Sequence, residues 1–230
     1  ERTRLSVELE YPNGNLYYFS RGKPGILNTS SSFEKFQREL EGTDEWHFRA
    51  VGGQATYNRI QDYAVFNSIR EHRSGFYGMD IGKLLVKGFN GWPIDVVAKI
   101  GIFDHLEEDG SDDFYQYLAY VKFYWTEFPW NSYIKTRIGL GEGISYCEEI
   151  PQIEILRLKR RTATSQLLNY LDYSAAVEIF ENCWAGAGVS HRSGILGLIN
   201  GVHGASNFNM FFMEYVVEIG KGGRYTNPHP

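Results

Sequence analysis

The sequence predicts an all-β protein: a closed, antiparallel, eight-stranded transmembrane β-barrel, preceded by an N-terminal extension that contains a short helix. Apolar and polar residues alternate with a period of two from about residue 75 to about residue 219. Most alternating runs exceed the ~5–6 residues typical of strands in soluble proteins. They reach the ~9–11 residues that a tilted strand needs to cross a membrane. The number of runs is even, so the sheet can close with both chain ends on one side.

Each strand is placed by its alternation and by the turn signals that bound it. The eight strands are expected at 46–58, 75–88, 93–105, 113–127, 132–147, 168–180, 184–193 and 204–219. The first two are the most irregular. Short turns at 90–93 and 128–131 contrast with longer segments at 107–113 and 148–167, and this asymmetry is typical of bacterial outer-membrane barrels. We therefore expect an integral outer-membrane protein and regard a soluble lipid-carrier barrel as the weaker reading.

Residues 1–45 do not follow the rhythm of the barrel. Leu5–Leu9 alternates, a turn is expected at 12–15, and Leu16–Phe19 is expected to return. Ser31 and Glu34 resemble a capping box for a helix that ends near Gly42. The chain thus divides into an extension (1–45) on the periplasmic side or plugging the lumen, a barrel (46–219) and a tail (220–230). The extension and tail are candidate surfaces for protein partners, and the charged opening residues indicate a mature, processed chain.

Charge and cysteine content exclude several classes of protein. The net charge of −5 argues against a nucleic-acid binder, which usually carries a basic face. Cys147 and Cys183 form no CxxC pair, so we expect no metal site built on them. No cofactor is expected. The strand count places these two residues at opposite ends of the barrel, ~25 Å or more apart. A disulfide between them would contradict that count.

The face of each strand opposite to the apolar one carries charges that should line the lumen. An eight-stranded barrel has no room for an aqueous channel, so these charges are expected to form a packed polar network. The expected members are Lys99, Lys122, Lys135, Arg137, Asp172, Glu178, Arg192 and Glu214.

The most suggestive motif lies near the end of the seventh strand. There His191 and Ser193 share the lipid-facing side, while Ser190 and Arg192 face the lumen. A polar pair on a lipid-facing surface is costly unless it lies at the interface or has a function. A His beside a Ser is also the pairing that makes a hydroxyl nucleophilic.

This motif, the long strands and the Gly-rich return into the last strand resemble the lipid A 3-O-deacylase family of outer-membrane barrels, over roughly residues 46–219. The resemblance implies Ser193 as nucleophile and His191 as general base in cleavage of an ester-linked acyl chain of lipid A. Where that family has Asn-Ala-Gly after the Ser, this chain has Gly194-Ile195-Leu196-Gly197. The oxyanion donor would then be the backbone N–H of Gly194.

The acidic triad residue of the family is also absent at the start of the last strand. Asn207 has the parity of the lipid-facing Phe211 and is expected to orient His191, as Asn does in papain-like enzymes. The alternative is that His191 and Ser193 are rim residues that contact lipid head groups. The His-Arg-Ser-Gly string occurs a second time, with His72 and Ser74, also at the outer rim. For His72 and Ser74, a structural role is the favoured interpretation.

A cationic cluster stands out in the long segment 148–167 of this otherwise acidic chain. Four cations suit a phosphate-bearing partner such as lipid A in lipopolysaccharide, or serve only as solvated charges. The residues are Arg157, Lys159, Arg160 and Arg161. Ile153 and Leu156, just upstream, are expected to form a short interfacial helix with them.

The sequence is consistent with two functions. One is a membrane-embedded esterase that acts on lipid A. The other is a catalytically inactive barrel that serves as a structural or anchoring subunit of an outer-membrane assembly.

Overall fold

The computed structural model describes residues 6–10, 16–20, 44–58, 70–108, 112–157, 164–195, 198–202 and 206–219 of the 230-residue chain. Long antiparallel strands dominate the described residues. The barrel strands are β3 (Glu45–Thr56), β4 (Glu71–Val86), β5 (Ile94–Leu106), β6 (Phe114–Trp125), β7 (Thr136–Cys147), β8 (Leu167–Phe180), β9 (Cys183–Ser193) and β10 (Asn207–Glu218). They close in the order β10-β3-β4-β5-β6-β7-β8-β9. The prediction of an eight-stranded antiparallel barrel is confirmed.

The extension contains a hairpin of β1 (Ser6–Glu10) and β2 (Leu16–Ser20), which pair antiparallel as the alternation predicted. The helix expected to end near Gly42 and the tail 220–230 lie outside the described residues. The division into extension, barrel and tail stays a prediction. In the described ranges, no helix is long and apolar enough to span a membrane.

The two ends of the barrel differ in the length of their connections. Turns of 87–93, 126–135 and 181–182 join strands at one end, which we call the inner end. Segments 57–70, 148–166 and 194–206, which are longer than these turns, join strands at the other end, the outer end, together with the shorter segment 107–113. This is the asymmetry of outer-membrane barrels, in which the longer loops face the cell exterior.

Polarity is inverted relative to a water-soluble barrel, as β6 illustrates. Its inward side chains are buried and include Gln116 and Lys122. Its outward side chains, among them Tyr117, Phe123 and Trp125, are exposed. Buried charges and an exposed aromatic surface are favourable only when lipid surrounds the barrel. The chain is therefore an integral outer-membrane barrel, as predicted.

Ion pairs fill the middle of the lumen. Arg49 lies 2.6 Å from the Asp80 carboxylate and 2.7 Å from that of Asp172. Lys122 lies 2.6 Å from Asp172, and Lys99 bridges Asp80 and Glu214 at 2.9 and 3.1 Å. All of these side chains are fully buried, so the lumen is a packed polar core.

The expected membership of this network needs two corrections. Lys135 and Glu178 pair with each other at 2.5 Å at the inner end, where Lys135 is 62% exposed. The turn after Trp130 holds Lys135 outside the barrel, because β7 begins only at Thr136. Arg49 and Asp80 are members that the sequence pattern did not reveal.

The segment after β7 forms a helix, α1 (Gln152–Arg157), but not the interfacial helix that was expected. Ile153 is fully buried in the upper lumen, in one cluster with Phe76, Phe103 and Phe208. Glu154 is buried as well. The helix therefore inserts into the outer mouth of the barrel, because Ile153 packs in this buried apolar cluster and Glu154 pairs with the buried Arg192.

The cysteines agree with the strand count. Cys147 ends β7 at the outer end, Cys183 begins β9 at the inner end, and both are free thiols. The prediction that they form no disulfide is confirmed.

A closed barrel around a buried ionic core should resist unfolding by detergent alone. We expect the unheated protein to migrate faster than the boiled protein on a dodecyl sulfate gel, because the barrel stays compact until it is heated. Identical migration of the two samples would contradict the membrane-barrel fold.

Candidate functional site

Four polar side chains gather on the lipid-facing side of three adjacent strands at the outer end. We call this group the rim site: Asn169 on β8, His191 and Ser193 on β9, and Asn207 on β10. Strand register brings them together, because His191 is opposite Asn207 and Ser193 is opposite Asn169. The apolar Leu171 is the next outward residue after Asn169 on β8, and the apolar Phe211 follows Asn207 and Asn209 on the outward face of β10, so the rim site borders the lipid-facing band.

His191 and Asn207 are joined by a short hydrogen bond. The Nδ1 atom of His191 lies 2.5 Å from the Oδ1 atom of Asn207. Asn207 is almost fully buried, and its Nδ2 atom donates to the backbone carbonyl of Asn58 at 2.6 Å. Since a carbonyl only accepts hydrogen bonds, this contact orients the Asn207 amide with its oxygen toward His191.

That orientation determines which tautomer the neutral imidazole adopts. An amide oxygen accepts and cannot donate, so the proton between the two side chains belongs to His191 Nδ1. In the neutral ring, Nε2 then carries the lone pair. A histidine held in this tautomer is arranged to accept a proton at Nε2.

Asn58 is itself held in place by the segment that leads out of β3. Its N–H donates to Thr56 Oγ1 at 3.1 Å, and its Oδ1 accepts from Arg70 N–H at 2.7 Å. Asn58 and Thr56 are both buried. These contacts hold the backbone carbonyl of Asn58 in place, and that carbonyl in turn orients Asn207 toward His191.

Ser193 and Asn169 complete the rim site. Ser193 follows His191 by two residues on the same face, which places their Cβ atoms about 7 Å apart. Asn169 is the cross-strand partner of Ser193, and directly opposed residues have Cβ atoms about 4.5–5.5 Å apart. His191 and Asn169 are thus the neighbours of Ser193 within the rim site, one along β9 and one across on β8.

Gly194 begins a tight return of the chain. A Cβ atom at this position would lie 2.2 Å from the carbonyl oxygen of Val202, so only glycine fits here. The Gly194 carbonyl accepts from Ile199 N–H at 2.9 Å, and Ile195 follows with a φ of 45°. The oxyanion role of the Gly194 N–H stays a prediction.

On the lumen side, a buried ion pair connects the rim site to α1. Arg192 lies between His191 and Ser193 in the chain and points inward, 2.5 Å from Glu154. Ser206, which precedes Asn207, donates to the same Glu154 oxygen at 2.7 Å. Glu154 thus ties together the outer ends of β9 and β10, the two strands that present His191 and Asn207.

The second His-Arg-Ser-Gly string faces the other way. His72 and Ser74 point into the lumen and are buried. The Ser74 hydroxyl donates to Glu107, and the Ser74 N–H donates to His72 Nδ1 at 3.1 Å. Glu107 also accepts from the N–H of Gln152, the first residue of α1, at 3.2 Å. This copy therefore fastens the helix and is not part of the rim site.

Of the predicted phosphate-binding cluster, Lys159, Arg160 and Arg161 lie outside the described residues. Arg157 ends α1, and its side chain is not among those described. In the described part of the chain, no three His, Cys, Asp or Glu side chains are grouped so that they could hold a metal ion.

Comparisons with known proteins find similarity to solved structures. No protein-family model and no curated protein matches the chain. Neisserial surface protein A (NspA) aligns at 11% identity and a TM-score of 0.44, over 75% of this chain and 96% of its own. Ail, the attachment invasion locus protein of Yersinia pestis, aligns at 13% identity and a TM-score of 0.34, over 75% of this chain and 98% of its own. Similarities this weak carry no functional argument.

The sequence did not predict two residues of the rim site and its supporting contacts, Asn169 and Asn58. Asn169 could have been found, because it is the one polar residue among the outward-facing positions of β8. Asn58 gave no signal, because it acts through its backbone carbonyl.

Proposed function

We propose that the barrel is an esterase that removes an ester-linked acyl chain from lipid A, with Ser193 as nucleophile and His191 as general base. The observation that carries the proposal is the hydrogen bond between His191 and Asn207 on the lipid-facing rim. It holds His191 in the tautomer that a general base needs, on a surface that fatty acyl chains contact. Asn207 takes the orienting role that an acid has in many triads.

The chemistry would proceed by acyl transfer to the protein. Ser193 Oγ attacks the carbonyl carbon of the ester while His191 Nε2 accepts the hydroxyl proton. The tetrahedral intermediate collapses, the bond to the sugar oxygen breaks, and His191 returns the proton to that oxygen. Water then attacks the acyl-serine with the same help from His191. The products are a free fatty acid and an alcohol on the sugar.

Lipid A as substrate rests on location, chemistry and resemblance. The rim site lies at the outer end of a membrane barrel and borders the lipid-facing band, where ester groups of an outer-leaflet lipid would lie. The rim motif resembles that of the lipid A 3-O-deacylases. The cluster from Arg157 to Arg161 supplies the charge that lipid A phosphates would require.

The test is acyl release from purified hexa-acylated lipid A in detergent micelles, measured by mass spectrometry. We expect the wild-type protein to release one fatty acid and Ser193→Ala to lose at least about 10³-fold in rate, because the nucleophile is removed. Ser132→Ala is the matched control: it removes an exposed serine hydroxyl in the turn 126–135, at the opposite end of the barrel from the rim site, and should retain activity.

Equal release by wild type and Ser193→Ala, or release by neither, would overturn the esterase. The barrel would then be better explained as a structural or anchoring subunit, with His191 and Ser193 contacting lipid head groups.

A further inference from the structure

Acyl transfer at Ser193 would need a donor for the negative charge that develops on the carbonyl oxygen. Donors aimed at that oxygen often supply a large part of the rate of such reactions. The sequence offers only the backbone N–H of Gly194 after the nucleophile, because the residues that follow carry no side-chain donor. The rim site also contains one polar side chain that takes no part in the steps of the proposed mechanism.

That side chain is Asn169. It lies on β8 directly opposite Ser193, with Cβ atoms about 4.5–5.5 Å apart, and its side chain is on the same lipid-facing side as the Ser193 hydroxyl. An Asn amide carries two N–H donors, and Asn169 is the rim-site residue directly across from Ser193. The other polar groups have separate roles: Asn207 Nδ2 donates to Asn58, His191 Nδ1 contacts Asn207, and His191 Nε2 is the proton acceptor of the proposed mechanism.

The surroundings of Asn169 would strengthen such a contact. Asn169 is only 6% exposed although it faces outward. The segment 198–202 folds against the outer end of β8, where Asn200 Nδ2 donates to the Leu167 carbonyl at 3.1 Å and to Ser165 Oγ at 2.8 Å. Leu167 and Leu171 flank Asn169 along the strand. A donor shielded from water interacts more strongly with a developing charge than one in bulk solvent.

We infer that Asn169 is a catalytic residue whose side-chain amide donates to the oxyanion formed during attack by Ser193. The inference rests on the proposed esterase function. It assigns the three adjacent strands separate tasks: β10 orients the base, β9 carries the base and nucleophile, and β8 stabilises the charge.

The experiment compares Asn169→Asp and Asn169→Ala with wild type, using hexa-acylated lipid A in detergent micelles. Aspartate has nearly the same shape as asparagine but no N–H donor at neutral pH. We expect both variants to lose about 10²–10³-fold in kcat with KM changed less than about threefold, because the missing contact exists only in the transition state. Asn209→Asp is the matched control, since it makes the same change on the lipid-facing side of β10.

A merely structural role predicts another pattern. Loss of packing would lower the unfolding temperature of the Asn169 variants and impair Asn169→Ala more than Asn169→Asp. Fold is therefore checked by heat-dependent gel migration, and kcat is measured on barrels that pass this check.

Failure of this inference can be told apart from failure of the esterase. If wild type releases acyl chains, Ser193→Ala does not, and Asn169→Asp keeps kcat within threefold, only the assignment of Asn169 is overturned. If wild type releases nothing, the esterase fails and the role of Asn169 fails with it.

Discussion

Replacing Asp172 with alanine is expected to lower the free energy of unfolding of the barrel by about 3–5 kcal/mol. Asp172 lies 2.7 Å from Arg49 and 2.6 Å from Lys122, and all three side chains are fully buried. Removing the carboxylate would leave two cations in the lumen without this counter-charge. A buried charge that loses its partner costs far more than the intact pair contributes, because water cannot replace the partner.

The measurement is urea-induced unfolding of the barrel in lipid vesicles, followed by heat-dependent gel migration. Glu108→Ala is the matched control, because Glu108 pairs with Arg73 at 3.4 Å and both side chains are well exposed. That change should cost less than about 1 kcal/mol. Asp172→Asn keeps the shape and should give an intermediate loss if the alanine variant does not fold. Equal midpoints for wild type and both Asp172 variants would contradict a stabilising ionic core.

The same residue illustrates how much of the fold the sequence could reveal. The alternation in β8 places Asp172 on the inward face, and the positions of the barrel strands followed from similar patterns and their turns. The ion-pair partners of Asp172 could not be predicted from this alternation. Arg49 lies on a strand interrupted by Gly52 and Gly53, where the alternation is irregular. Which inward residues meet across the lumen depends on the stagger of the closed sheet, and that stagger is not a local property of any strand.

The rim site was likewise predictable only in part. The alternation of inward and outward positions placed His191, Ser193 and Asn207 on the lipid-facing side. The meeting of Asn169 with Ser193 depends on the register between β8 and β9, which the tight turn at 181–182 and a register shift near Phe180 determine. A shift of one residue would have turned Asn169 into the lumen. Helix α1 was predicted as an element, but its direction depends on contacts with residues distant in sequence.

The second large effect is expected from Glu154, which fastens α1 into the outer mouth. Glu154 accepts from Arg192 at 2.5 Å, from Ser206 at 2.7 Å and from Thr164 at 2.5 Å, and it is 3% exposed. In Glu154→Ala, Arg192 would lose its carboxylate partner in a buried position. We expect a loss of about 3 kcal/mol in the stability of the closed helix, which raises the population of the open form by more than about 100-fold.

Limited proteolysis with trypsin, followed by mass spectrometry of the fragment that ends at Arg157, measures this opening, because Arg157 lies within α1 and helical backbone must unfold before it is cleaved. Cleavage follows the population of the open state when opening and closing are fast. Glu149→Ala, which removes an exposed carboxylate from the segment 148–166, is the control and should be cleaved at the wild-type rate. Unchanged cleavage of Glu154→Ala would show that α1 is held by Ile153 and the Glu107 contact instead.

Loss of Glu154 should also disturb the geometry of the rim site, because Glu154 holds the outer ends of β9 and β10 together. If the esterase proposal is correct, Glu154→Ala should lower acyl release from lipid A, whereas Glu149→Ala should not. Glu154→Gln, which can keep hydrogen bonds to Arg192 and Ser206 but lacks the charge, should fall between them. The order of the three variants in trypsin cleavage should then match their order in activity loss, since both follow from the same loosened contact.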